Sequence, residues 1–190
     1  MTEKVIAVGT LPGSSVARLK GRARSAMVGA LFGSAWMSWA AVFVPAARTT
    51  ALVLVAVIAI LLVGWAAARL RIVRRYKDSA ADRERWTSVA PLFWIDTTAE
   101  WLLGAGAVAA LAHFGRYALI PQFLGVIIGL HFLPLAWIFR ASRYYIMGTA
   151  IVVCVCGSLL IPEGSIRNVI ACAGICLPMW ITAVVSLSQD

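Results

Sequence analysis

The chain has 190 residues, of which 62% are hydrophobic and 13% charged, with a mean hydropathy of +0.88 and a formal net charge of +9. A soluble globular domain is excluded, because apolar side chains would have to cover its surface. Apolar runs of about 20 residues, enough for a helix to cross ~30 Å of hydrocarbon, recur along almost the whole length. The expected fold class is therefore all-α, a polytopic membrane protein.

Residues 1–25 read as a basic cytoplasmic arm carrying Lys4, Arg18, Lys20, Arg22 and Arg24. Its apolar patch Val5–Val8 is too short for a signal-peptide core. The arm is expected to lie against anionic headgroups.

A single six-helix transmembrane domain, residues 26–188, is expected to follow. Span one covers 26–47, with Gly29, Gly33, Trp36 and Trp39. Span two, 51–68, is almost pure Val, Ile, Leu and Ala and is expected to face lipid. The segment Arg69–Thr87 is the one long loop, with Arg71, Arg74, Arg75 and Lys77 expected to contact lipid. Its interleaved acids, as in Arg74/Asp78, would support a surface helix. Spans three to six follow at 89–113, 117–139, 144–161 and 169–187.

Six spans put both termini on one side. With the amino terminus inside, fourteen Lys and Arg fall in inner segments, and only Arg48, Arg116 and Arg167 fall in outer turns. This asymmetry predicts N-in, C-in. It also explains the positive charge without nucleic acid, which is not expected as a partner. The expected partners are the bilayer and its anionic headgroups, with a homo-oligomer left open.

The polar residues inside the spans carry the chemistry. Asp96 and Glu100 are four apart and share a helical face. At ~1.5 Å rise per residue they lie about 12 and 18 Å from the inner end of span three. Span four runs the other way and puts His131 about 13 Å from that same end. Ionised groups at such depth normally face a partner or water. Two carboxylates one turn apart do not both stay charged there, so they are expected to titrate together and to share a proton with His131. Pro134 removes the donor for the Leu130 carbonyl, which leaves an acceptor near the histidine. The trio reads as an ion- or proton-binding site, or else as a polar cluster that fixes how spans three and four pack.

Other polar groups point less clearly to chemistry. His113 lies at the outer end of span three, roughly 20 Å in height from His131, too far for a shared metal or haem. Cys172 and Cys176 share a face, with Cys154 and Cys156 at similar depth on the preceding span. Thiolates suit Cu(I), but cysteine is also an ordinary small hydrophobe, and packing is the expectation. No cofactor and no metal is expected.

Small residues repeat at spacing four in Gly29/Gly33 and Gly125/Gly129, which permits close helix approach. The segments around them match in spacing, Gly29, Gly33, Ala40 and Phe43 against Gly125, Gly129, Ala136 and Phe139. Two inverted three-helix halves are the corresponding expectation. Pro178 is expected to break span six near Gly174. Trp86, Trp137 and Trp180 fall near predicted interfaces, and Trp39 and Trp101 deeper.

The run Gly129-Leu-His131-Phe132-Leu-Pro134-Leu135-Ala136, followed by a basic turn and Tyr144-Tyr145, resembles a pattern in small bacterial multi-pass membrane proteins of unknown function. The resemblance implies a bacterial cytoplasmic (inner) membrane location, multi-pass, and draws attention to His131. It implies no activity. The functional expectation is a small transporter or channel linked to a proton or cation. The alternative is a non-catalytic scaffold, sensor or partner protein. An intramembrane enzyme ranks last, since no Gly-x-Ser-x-Gly or His-Glu-x-x-His is present.

Overall fold

Six helices run up and down: α1 (Val16–Val42), α2 (Arg48–Val73), α3 (Ala80–His113), α4 (Ile120–Phe139), α5 (Ser142–Ser158) and α6 (Ser165–Ser188). A computed structural model describes residues 16–76 and 79–189, and no strand occurs among the described residues. Helices are what apolar sequence must form where water cannot satisfy the backbone, since every N–H and C=O then bonds within its own segment. Four of them, spanning Val16–Val42, Pro45–Val73, Tyr117–Phe139 and Ser165–Ser188, are long and apolar enough to cross a membrane. α3 has the length, at 34 residues, but carries Asp96 and Glu100. α5 has 17 residues.

The ends are set by local chemistry. The Ser79 hydroxyl accepts the Asp82 amide at 3.1 Å and donates to the Asp82 carboxylate at 2.8 Å, which caps α3. Gly115, at φ +67°, turns the chain between α3 and α4. α4 closes on Arg140 in the left-handed conformation, with the Ala141 amide donating to the Ala136 carbonyl at 3.0 Å.

The helices differ from the expected elements at three places. Within the described residues α1 spans Val16–Val42, so Arg18, Lys20, Arg22 and Arg24 of the basic arm ride on a helix. Alanine and long basic side chains propagate a helix well, and this one is tied down at its start. The Lys20 ammonium donates to the Tyr76 carbonyl at 2.9 Å, and Arg22 donates to the Gln189 carbonyl at 3.3 Å. Residues 1–15, with Lys4, lie outside the described residues. The expected loop 69–87 is mostly helix, since α2 runs to Val73 and α3 starts at Ala80. Lys77 and the Arg74/Asp78 pairing fall outside the described residues. Finally, α6 runs unbroken through Pro178; neighbouring helices hold it on both sides of the proline.

The helices pack in the spatial order α2, α1, α6, α5, α4, α3, with α4 also touching α6. The main core gathers Trp36, Tyr144, Met147, Ile151, Val155, Ile175 and Met179, and Ala26, Ala66, Ala183 and Leu187 form a smaller one. α2 packs mainly on α1, burying Leu62, Ala66 and Leu70 and leaving Leu54, Ile60 and Leu61 exposed. The proposed halves are not matched in packing: α5 lies along α6, whereas α2 and α3 make no comparable contact.

Glycine sets the closest approaches. A methyl on Gly33 would stand 2.9 Å from the Trp180 ring, which seats α1 on α6. One on Gly148 would stand 2.5 Å from the Gly129 carbonyl oxygen, which seats α5 on α4. Trp180 is thus a packing residue, its indole N–H donating to the Ala30 carbonyl at 3.4 Å.

Candidate functional site

α3 is the outermost helix of the row on its side. It has no buried residue and leans mainly on α4. The four-residue spacing of Asp96 and Glu100 turns both carboxylates to that single neighbour. α4 runs antiparallel and brings His131 to the same height. The Asp96 Oδ2 atom lies 3.0 Å from His131 Nδ1, and Glu100 Oε2 lies 3.4 Å from His131 Nε2. The imidazole is thus bracketed, one carboxylate on each nitrogen. The side chains of His131, Asp96 and Glu100 keep 10, 17 and 23% of their exposure.

The contacts are close but not satisfied. Asp96 Oδ2 and His131 Nδ1 are both buried, and neither has a hydrogen-bond partner of good alignment. A buried polar atom left in that state is expensive in a purely structural cluster. Above the trio, Gly104 lets Leu124 approach to 3.4 Å of where a side chain would begin. On the other side, rings close the seam: Phe93 lies 5.9 Å and Trp86 6.5 Å from Phe139, centroid to centroid. The His131 ring itself meets Phe132 edge-on at 5.5 Å.

The other expected site residues lie apart. His113 is exposed at the end of α3, its ring against Phe114 at 5.1 Å. Arg71, Arg74 and Arg75 are exposed at the end of α2. Cys172 and Cys176 are buried in the core, and Cys154 and Cys156 are exposed on α5. Cys154 packs where Gly174 has no side chain. Among the described residues no group of three or more His, Cys, Asp and Glu is arranged to hold a metal ion.

A second polar cluster escaped the sequence reading. Near the starts of α4 and α6, the buried amides of Gln122 and Asn168 meet at 3.0 Å. With its amide turned over, Gln122 also donates to the Ala118 and Leu119 carbonyls, at 3.0 and 3.3 Å. Beside Asn168 in the chain, Arg167 is buried with its guanidinium 3.6 Å from the Glu163 carboxylate. The available signal was two lone amides, each within the first turn of its helix. Asn168→Leu is expected to lower stability by roughly 1–3 kcal/mol, because the Gln122 amide loses a buried partner. Thermal unfolding in detergent checks this, and the Gln122→Leu/Asn168→Leu double variant should recover most of the loss.

Fold and site together describe an all-α membrane protein with a carboxylate–imidazole–carboxylate trio between two of its helices. The model of a family of unknown function, DUF7010, matches residues 97–188. The matched part takes in Glu100 and His131 and begins one residue after Asp96. No curated protein and no solved structure matches the chain.

Proposed function

We propose that this protein is a small proton- or cation-linked transporter or channel of the bacterial inner membrane, with six spans and both termini in the cytoplasm. The observation that carries the reading is the placement of His131 between Asp96 and Glu100 at mid-helix depth. Three ionisable groups set within an apolar bundle are a standing expense unless they handle charge. Their incomplete hydrogen bonding and partial exposure suit groups that exchange a proton or ion more than groups that lock two helices together. The basic ends of α1 and α2, where Arg71, Arg74 and Arg75 are exposed, would sit among anionic headgroups and set the orientation. A homo-oligomer is compatible with α3, which exposes Trp94, Ile95, Trp101 and Leu102.

One observation favours the alternative of a non-transporting scaffold or partner protein. A groove of about 320 Å³ lies between α2 and α6, lined by Ile58, Leu62, Leu177 and Trp180 among other apolar residues, and does not reach the trio. The deciding experiment is flux into proteoliposomes under imposed proton, sodium and potassium gradients. Glu100→Gln keeps the shape and removes the charge, and flux is expected to fall at least tenfold. Equal flux in the variant, or none in the native protein, rejects transport through this site.

A further inference from the structure

We infer that the ion handled at the α3–α4 seam is the proton, passed between Asp96 and Glu100 through the two nitrogens of the His131 ring. The inference rests on the transport reading above and narrows its substrate. Its basis is which ring nitrogen each carboxylate lies nearest to. The lone pairs or protons of Nδ1 and Nε2 lie in the ring plane and diverge. Asp96 occupies one side, at 3.0 Å, and Glu100 the other, at 3.4 Å. A metal ion on Nδ1 has Asp96 within reach and Glu100 across the ring, and one on Nε2 has the reverse. Either ion would hold one nitrogen and one carboxylate, well short of the four to eight donors that biological cations take. A proton needs only one donor and one acceptor, and here each nitrogen has a carboxylate oxygen of its own within 3.4 Å, which a turn of the ring or of the carboxylate brings into line.

The imidazole can accept at one nitrogen while it donates at the other. A proton on Glu100 Oε2 moves to Nε2, which leaves a carboxylate behind and makes the ring an imidazolium. The Nδ1 proton then passes to Asp96 Oδ2, and the ring is neutral again in its other tautomer. Rotation of the ring restores the starting tautomer, with Glu100 free to take up the next proton. One proton has then moved by one helical turn, about 6 Å along α3. Both gaps are within a few tenths of an ångström of the 2.6–3.2 Å at which proton transfer proceeds. No redox partner enters.

The surroundings suit this use. The ion pairs of the three residues are with one another. α5, packed on the other side of α4, reaches it with the Tyr144 ring, stacked on Phe132 at 6.1 Å, and the Arg143 guanidinium sits over that Tyr144 ring at 5.0 Å. The aromatic group of Trp86, Phe93 and Phe139 occupies the seam beyond Asp96.

The test is proton uptake into proteoliposomes loaded with a pH-sensitive dye, in a buffer whose only added cation is N-methylglucamine. Uptake in the native protein is expected to persist without sodium, potassium or divalent ions and to slow in D2O. His131→Arg keeps a cation between the carboxylates, and hence the ion pairs, but arginine does not release its proton. Uptake in that variant is expected to fall at least tenfold while thermal stability stays near native. Glu100→Asp, which keeps the carboxylate on a shorter arm, should retain measurable uptake. A flux that requires sodium or potassium, moves no protons and is still lost in Glu100→Gln would leave transport standing and overturn the proton. Native uptake in His131→Arg would also overturn the relay.

Discussion

Gly148→Leu is expected to prevent formation of the folded bundle. A side chain begun at Gly148 would lie 2.5 Å from the Gly129 carbonyl oxygen and 3.0 Å from the Phe132 Cβ. The first contact is backbone, which cannot swing aside, and the whole of α5 must therefore move off α4. Gly129 faces the same contact from the other helix, 2.6 Å from Val152 and 3.0 Å from the Gly148 carbonyl. Overpacking of this kind costs about 1–3 kcal/mol in ordinary cores and more where backbone meets backbone. Since α5 also carries Ile151 and Val155 into the main core, separation of the two helices would expose that core as well. Size-exclusion chromatography and thermal unfolding in detergent are the measurements, and a broad aggregated profile is the expected result. Gly64→Ala and Gly157→Ala are the controls. Apart from the helix's own backbone, no atom lies within 4 Å of either added methyl, and both should hold or slightly raise stability. A native unfolding profile in Gly148→Leu would show that the α4–α5 contact does not hold the bundle together.

The second large effect separates stability from activity at the trio. His131→Leu leaves two carboxylates one turn apart with no partner between them, and stability is expected to fall by roughly 1–3 kcal/mol. Replacement of all three residues, as Asp96→Leu/Glu100→Leu/His131→Leu, removes the unpaired charge and fills the seam with apolar side chains. That chain should be as stable as the native protein or more so, since well-packed hydrophobic residues often replace a buried ion cluster without loss. Its flux should be absent. Unfolding temperature and proteoliposome uptake, read on the same preparations, give the comparison. If the trio only fixed helix packing, the single and triple variants would differ in stability and neither would change any flux.

Much of the architecture was open to inspection in the chain itself, and the reasons are specific. Hydropathy located helices at every expected span, because a segment of ~20 apolar residues has few other ways to satisfy its backbone. Spacing four put Asp96 and Glu100 on one face, and antiparallel counting put His131 at their height. The ends were misread where helix and hydrocarbon stop at different places. α1 continues back to Val16 through four basic residues, and α2 and α3 use up most of the expected loop, because hydropathy marks a lipid boundary and the backbone hydrogen bonds run past it.

Pairing of helices was the part that hydropathy did not contain. The approach of α1 to α6 through Gly29 and Gly33, and of α4 to α5 through Gly129 and Gly148, depends on shapes of surfaces far apart in the chain. The Gln122–Asn168 contact bridges 46 residues, and neither amide signals its partner locally.

Composition and periodicity alone determined that this is a bundle of apolar helices and that three ionisable side chains lie at similar height along two of them, since both follow from helical rise and from the backbone's need for hydrogen bonds. Only the tertiary structure decided that α3 stands at the edge with α4 as its main neighbour, and that one carboxylate faces each nitrogen of the same ring. The rotation of a helix about its axis is settled by the side chains of its neighbours, and that rotation is what turns three residues of similar height into one site.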